Sequence, residues 1–401
     1  MALPPPPAHV PAEQIGVFPL TDGTLTYEDP FVSLIPAYHD GPAAFFGPSA
    51  YMGFEGAWVL RRGEDIKHVY RDTEHFSSGG AASAAAWIGE DWKLLPIELD
   101  PPEHKAMRDI VSPLFTPKRI MGLEAKVRQT AKGYLQKFAA RGHADFVAEF
   151  TTPFPVAVFL DLVDLPREDM DLFLDWAHAM LRSTILEERA DAIRAVKDFL
   201  VDVLEQRRRS PSDDFFSYII AAKIDGKLLS QDEMIGIAFN LFLGGLDTVN
   251  DSMALQFRHL AEHPADQQTL RDDPSRIVVA VEELLRAYAS VTNYRFCVKP
   301  FEIAGVSMKP GDRVALPTSL AARDPEMFDR PQEIDFSRTT ASLTFAYGPH
   351  RCVGSHLARR ELQIAMTEVL VGIPQFKIEE GAKLPVRYGP IISLEALPLV
   401  W

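Results

Sequence analysis

Apolar residues recur at helical spacing through most of the 401 positions, with only short alternating runs between them. Ala57-Trp58-Val59-Leu60 reads as a short strand, and Gly63 to about Asp72 has the period of a helix. From Arg119 to Arg209 helix follows helix, broken at Gly142, at Pro153-Phe154-Pro155 and at Pro166. Ser230-Gln231-Asp232-Glu233 is a capping box, and it opens a run free of proline until Pro264. That run predicts one unbroken helix roughly 50 Å long at about 1.5 Å per residue. Val278, Val281, Leu285 and Tyr288 form a further helical stripe, as do Ala358, Leu362, Ala365, Met366 and Val369 within Ser355 to Val371. Phe301-Glu302-Ile303 and Arg313-Val314-Ala315-Leu316, on either side of Pro310-Gly311-Asp312, predict a hairpin, and Pro390 to Pro398 reads the same way. The expected class is mainly α with small β-sheets.

Composition narrows the picture. A 47% hydrophobic content can build one large core, although the length alone would allow two or three domains. A net charge of −15 argues against nucleic acid as a partner, since phosphate binding needs a basic surface. Residues 1–16, rich in proline and without a basic flank or signal-like apolar run, are expected to be a flexible lead-in to a domain over 17–401. The richest apolar run, Ile235 to Leu246, is interrupted by Asn240 and is shorter than the ~20 residues a membrane span needs. A soluble, cytoplasmic, monomeric protein is expected. The small residues from Gly79 to Ala86 suit either a loop that opens for ligand access or a plain surface loop.

Two stretches carry candidate chemistry. Phe345-Ala346-Tyr347-Gly348-Pro349-His350-Arg351-Cys352-Val353-Gly354 aims a cysteine from a loop at the start of a helix, where unpaired N–H groups and the helix dipole favour thiolate. A buried anionic sulfur needs a cation, and a metal is the natural one; the two cysteines, Cys297 and Cys352, make no disulfide framework. Mid-way along the predicted long helix lies Gly244-Gly245-Leu246-Asp247-Thr248. Each glycine there costs about 1 kcal/mol relative to alanine, which either a close helix packing or a function must offset.

The pattern Phe-x-x-Gly-x-x-x-Cys-x-Gly over Phe345 to Gly354 resembles the haem-ligand loop of the cytochrome P450 family, and the chain is most similar to the soluble bacterial camphor-hydroxylating branch. The resemblance implies a single-domain P450 fold, a triangular helical prism with haem b between the central and the last long helices. It implies Cys352 as axial iron ligand, pushing electron density onto iron to favour O–O cleavage. Phe345 would shield the sulfur, and Gly354 would let the backbone approach the haem. His350, Arg108 and Arg295 would meet the propionates. Gly244-Gly245-Leu246-Asp247-Thr248 resembles the branch's oxygen-binding segment: Gly244 leaves room for dioxygen, the Thr248 hydroxyl holds it, and Asp247 relays protons. Arg182 sits where the relative has an arginine paired with that aspartate. Glu283 and Arg286 match the family's bracing Glu-x-x-Arg pair.

Counting back from Asp100-Pro101-Pro102-Glu103, Trp92 replaces the tyrosine whose phenol holds the camphor ketone, so a different substrate is implied. With Leu243, Val291 and Ile391 the inferred pocket is apolar, which points to a cyclic monoterpenoid or norisoprenoid. A separate [2Fe-2S] ferredoxin with its reductase is the expected electron donor, docking near Arg108, Lys105 and Arg359; no flavin or iron–sulfur cysteine set accompanies the haem loop. A peroxide-driven peroxygenase acting on fatty acids is the alternative, but Gln231 to Phe257 contains no cation to hold a carboxylate. A haem gas sensor or carrier, needing no proton relay, is the non-enzymatic alternative.

Overall fold

The computed structural model describes residues 3–80, 84–183 and 185–401, apart from the side chains of Leu181 and Arg182. The expected access loop of Gly79 to Ala86 therefore lies partly outside the described residues. Short helices α1 (Leu34–Tyr38) and α2 (Gly63–Arg71) are set among the amino-terminal strands, and α3 (Glu103–Val111) follows a proline pair. The predicted helical stretch becomes α4 (Pro117–Phe138), α5 (Pro153–Val163), α6 (Met170–Arg182) and α7 (Leu186–Arg209). Proline stands at the first position of α4 and α5, where its missing N–H costs no bond. After α8 (Phe215–Ala221) come α9 (Gln231–Leu246), α10 (Thr248–Glu262), α11 (Pro264–Asp272), α12 (Ile277–Ala287), α13 (Thr318–Ala322) and α14 (Ser355–Gly372).

Helix α5 buries almost all of its residues, and α9 buries the unbroken run from Met234 to Phe239. All-round burial places them in the middle of the helical layer. The capping box at the start of α9 is formed as read: Ser230 N donates to Glu233 Oε2 at 2.7 Å, and Glu233 N to Ser230 Oγ at 3.2 Å. The helix it opens is not continuous, however. Asp247 (φ −106°, ψ −39°) interrupts the ladder and divides the predicted single helix into α9 and α10. The cause is local, because two glycines weaken the last turn and the Thr248 hydroxyl donates to the Gly244 carbonyl at 3.2 Å, competing with the backbone.

A five-stranded sheet runs Ala44–Tyr51, Glu55–Leu60, Arg313–Pro317, Thr292–Cys297, Phe76–Ser77. The predicted hairpin between Phe301 and Leu316 does not form. Phe301–Ile303 turns back at Ala304-Gly305, both at positive φ (54° and 79°), to pair with Val306–Met308. That mirror-image turn matches strand twist, so pairing closes early and Arg313–Pro317 is left for the large sheet. The carboxyl-terminal hairpin is likewise split: Ser393–Leu394 pairs with Val386–Arg387, and Pro398–Val400 with Lys377–Ile378 and His143–Asp145. On α12, Val278 lies outside the buried stripe. The segment expected to trail ahead of residue 17 touches the large sheet: His9 Nε2 is 2.8 Å from Asp312 Oδ2, and Gly16 N donates to Phe46 O at 2.9 Å.

The Glu283–Arg286 pair is 3% and 1% exposed and doubly bonded, Nε to Oε2 at 2.9 Å and Nη2 to Oε1 at 2.8 Å. Arg286 also donates to the carbonyls of Ala322, Pro331 and Glu333, while Glu283 accepts from Asp335 N and from Arg338 Nε at 3.2 Å. Arg338 was not singled out in the sequence because nothing local links it to a pair 52 residues earlier. This network joins α12 to the chain that leads into the cysteine loop, and Thr344 Oγ1 adds a bond to Leu285 O at 2.9 Å. Arg286→Ala leaves the buried Glu283 carboxylate only Arg338 and the Asp335 amide, and is expected to cost about 3–5 kcal/mol in urea unfolding; a loss under about 1 kcal/mol would contradict the bracing role.

Candidate active site

The cysteine loop is shaped by backbone contacts. Gly348 has φ +70°, and a Cβ there would lie 2.7 Å from Tyr70 O, so only glycine fits under α2. Cys352 N donates to Phe345 O at 2.9 Å, and Arg351 N to Gly348 O at 3.2 Å. Cys352 is exposed on one side and enclosed on the others. Burial pushes its thiol up, against the amides of Gly354 and Ser355 at the start of α14 and the Arg108 and Arg359 guanidiniums. Those amides and guanidiniums are the groups that would favour a thiolate at this position. Arg359 stacks 4.3 Å over the Phe345 ring.

Beside the loop lies a corner of basic groups. Arg295 is buried, donates to Tyr294 O at 2.7 Å, and has its pKa lowered by burial. Arg108 reaches the Arg351 carbonyl at 2.6 Å and Ser112 Oγ at 3.2 Å. The His350 and His104 rings lie 4.1 Å apart, and the Nε2 atoms of both are buried without a partner. Burial first, then Arg295, His104 and Arg108, push His350 down to about 2. Asp100, the acid whose charge reaches this corner, is turned to Ser77 Oγ and to Ser78 N at 2.9 Å. Gathered cations and orphaned nitrogens next to a thiol fit the two carboxylates of a haem. His104 was missed in the sequence, though its place four residues before Arg108 puts both on one helix face.

At the α9–α10 break the two glycines do different things. A Cβ on Gly245 would lie 2.5 Å from Phe159 Cδ2, so that residue serves packing against α5, whereas a Cβ on Gly244 would meet nothing within 4 Å. The packing reading therefore holds for Gly245, and packing does not account for Gly244. Asn250 anchors the start of α10 by accepting from Thr151 Oγ1 at 2.8 Å and Thr152 Oγ1 at 3.3 Å. Asp247 stands at the break itself; the side chain of Arg182, expected as its partner, lies outside the described residues.

The inferred pocket residues converge only in part. Val291 and Ile391, a hundred residues apart, meet in an antiparallel bridge, flanked by Thr292 N to Pro390 O at 2.8 Å. Trp92 packs 5.0 Å from Phe239, one turn before Leu243 on α9, but donates its N–H to Glu90 Oε2 at 2.7 Å. The three residues expected to steer a ferredoxin carry little unmatched charge: Lys105 pairs with Asp109, Arg359 with Glu282, and Arg108 is turned inward.

The cytochrome P450 family profile matches residues 156–379. The chain is 36% identical to a probable cytochrome P450 127A1 from Sinorhizobium fredii, covering 98% of this chain and 96% of that one. The crystal structure of cytochrome P450 CYP101C1 superposes at TM-score 0.88 with 32% identity, covering 98% of this chain and 99% of that one. CYP101J2 superposes at 0.88 with 29% identity, covering 99% of each. The chain belongs to the cytochrome P450 family, the haem-iron monooxygenases, and is an oxidoreductase. Among the described residues no helix is long and apolar enough to cross a membrane.

Two outcomes test this geometry. Gly348→Ala, forced against Tyr70 O, is expected to fold with little or no retained haem, measured as the Soret-to-280 nm ratio. His104 is held below its ordinary pKa by burial and then Arg108, so below about pH 6.5 the unfolded chain binds a proton that the folded one does not. Stability of the cofactor-free protein should therefore fall as pH drops through that value, by up to about 1.4 kcal/mol per unit for this group. In His104→Gln the slope should flatten.

Proposed function

We propose that the protein inserts one oxygen atom from dioxygen into a C–H bond of a small hydrophobic substrate, a cyclic monoterpenoid or norisoprenoid, with electrons from a [2Fe-2S] ferredoxin. The observation that carries the haem-thiolate part is the Cys352 thiol set beside the basic corner of Arg108, Arg295, His350 and His104. Haem b, when bound, supplies an iron that activates dioxygen once reduced. The chain's residues do the rest. Cys352 holds the iron through sulfur, and the amides of Gly354 and Ser355 damp its charge. Arg108, Arg295 and the two histidines take the propionates, whose charge would offset the burial and the cationic repulsion that keep His350 neutral.

At the α9–α10 break Thr248 carries a hydroxyl and Asp247 a carboxylate, where the helix ladder is already open. A broken turn can rearrange at little cost, which a proton relay needs and a continuous helix would resist. The open space at Gly244 admits a diatomic molecule without a side chain being displaced. Support for an apolar substrate comes from Leu243, Val291 and Ile391, none of whose side chains carries a polar atom. Lys105 and Arg359, expected to steer an acidic donor, are each paired with an acid.

In the purified protein treated with dithionite and carbon monoxide, a band near the thiolate-specific wavelength should appear and be lost in Cys352→Ala; its survival would end the reading. Thr248→Ala should lower product formed per electron pair and raise hydrogen peroxide release, with dioxygen consumption continuing. Asp247→Asn should slow turnover by a factor on the order of 10², as expected when a proton-transfer group is lost.

A further inference from the structure

Trp92 occupies the position of a substrate-holding donor, yet its single N–H is already used. Indole Nε1 donates to Glu90 Oε2 at 2.7 Å, and Lys197 of α7 holds both oxygens of that carboxylate at 2.6 Å. The Lys197 bond is the leading cause that holds Glu90 below the usual carboxylate range, against partial burial. The acceptor is therefore an anion at neutral pH, and a charged acceptor binds an N–H roughly twice as strongly as a neutral one. Indole has no second donor to offer.

The ring has little freedom to turn elsewhere. It is 5% exposed and rests on Phe239 of α9. The stretch that carries it is fastened to the same helix: Leu95 N donates to Gly236 O at 3.2 Å, and Asn240 Nδ2 to Leu95 O at 3.1 Å. A Cβ on Gly236 would fall against Lys93 O, so helix and loop touch through bare backbone. Among the other residues assigned to the pocket, Leu243, Val291 and Ile391 have no donor, and the Thr248 hydroxyl is given to Gly244 O.

We propose that Glu90 and Lys197 are specificity-determining positioning residues that withhold the Trp92 N–H from the substrate, so that this wall is read as apolar surface. The favoured substrate class is a compact hydrocarbon skeleton, or one whose oxygen is carried away from Trp92. The inference rests on the reading of Trp92 as part of the pocket wall. A carbonyl brought to that wall leaves its water partners and finds no donor in exchange. Selection then rests on shape, and Lys197 makes that selection depend on where α7 stands.

The test uses haem-loaded protein and a near-isosteric pair, adamantane and 2-adamantanone, with Kd read from the low-to-high-spin shift of the haem band. In the wild type the ketone should gain nothing beyond its partition between water and hydrocarbon. Glu90→Leu, which releases the indole, should shift the Kd ratio toward the ketone by roughly three- to tenfold, the range of one hydrogen bond. Glu90→Gln keeps an acceptor and should keep the wild-type ratio, and adding Trp92→Phe to Glu90→Leu should abolish the gain. General loosening would move both ligands alike and leave the ratio unchanged. The proposal is overturned by a wild-type ratio already tenfold toward the ketone, by an unchanged ratio in Glu90→Leu, or by absence of a spin shift with either ligand. The carbon monoxide band is independent of all three results, so its loss alone marks failure of the haem-thiolate reading.

Discussion

The buried charge network of Glu283, Arg286 and Arg338 is the constraint on which the site's geometry depends. An ion pair with both members almost wholly out of water is weak evidence of net stability, because desolvation offsets much of the attraction. Its value is directional. Arg286 satisfies three carbonyls from the chain around residues 322–333 as well as Glu283, and Glu283 accepts from residues 335 and 338. A long irregular segment is thereby given one path, and that path delivers the loop at Phe345 with Gly348 pressed under Tyr70.

A second constraint is electrostatic. The corner of Arg108, Arg295, His104 and His350 is unfavourable by itself, with one imidazole driven to about 2 and two ring nitrogens lacking partners. Arrangements of this kind persist where the surrounding packing over-determines them, and a dianionic ligand would relieve the strain. The groups that crowd this corner are the ones that would bind the carboxylates of a haem.

The broken helix and the loop of Trp92 are linked through α9. Gly236 and Asn240 of that helix hold the loop, while Gly244 to Thr248, two turns further on, interrupt the ladder. Helix α9 therefore supports the wall that would meet the substrate and ends at the break that carries the Asp247 carboxylate and the Thr248 hydroxyl.

Local chemistry determined much of this from sequence alone. The capping box at Ser230, the cysteine at a helix start and the Glu283–Arg286 spacing each act within a few residues, so their physics is written in consecutive letters. What failed was set at a distance or by competition between near-equal choices. The break at Asp247 depended on whether two glycines and a threonine would beat the helix ladder, and the 301–316 hairpin on whether Ala304-Gly305 would close first. His104, Arg338 and Glu90 gained their importance from partners brought near only by the fold. The sequence could say that Trp92 had one N–H to give; only the tertiary structure decided that Glu90, pinned by Lys197 from another helix, would receive it.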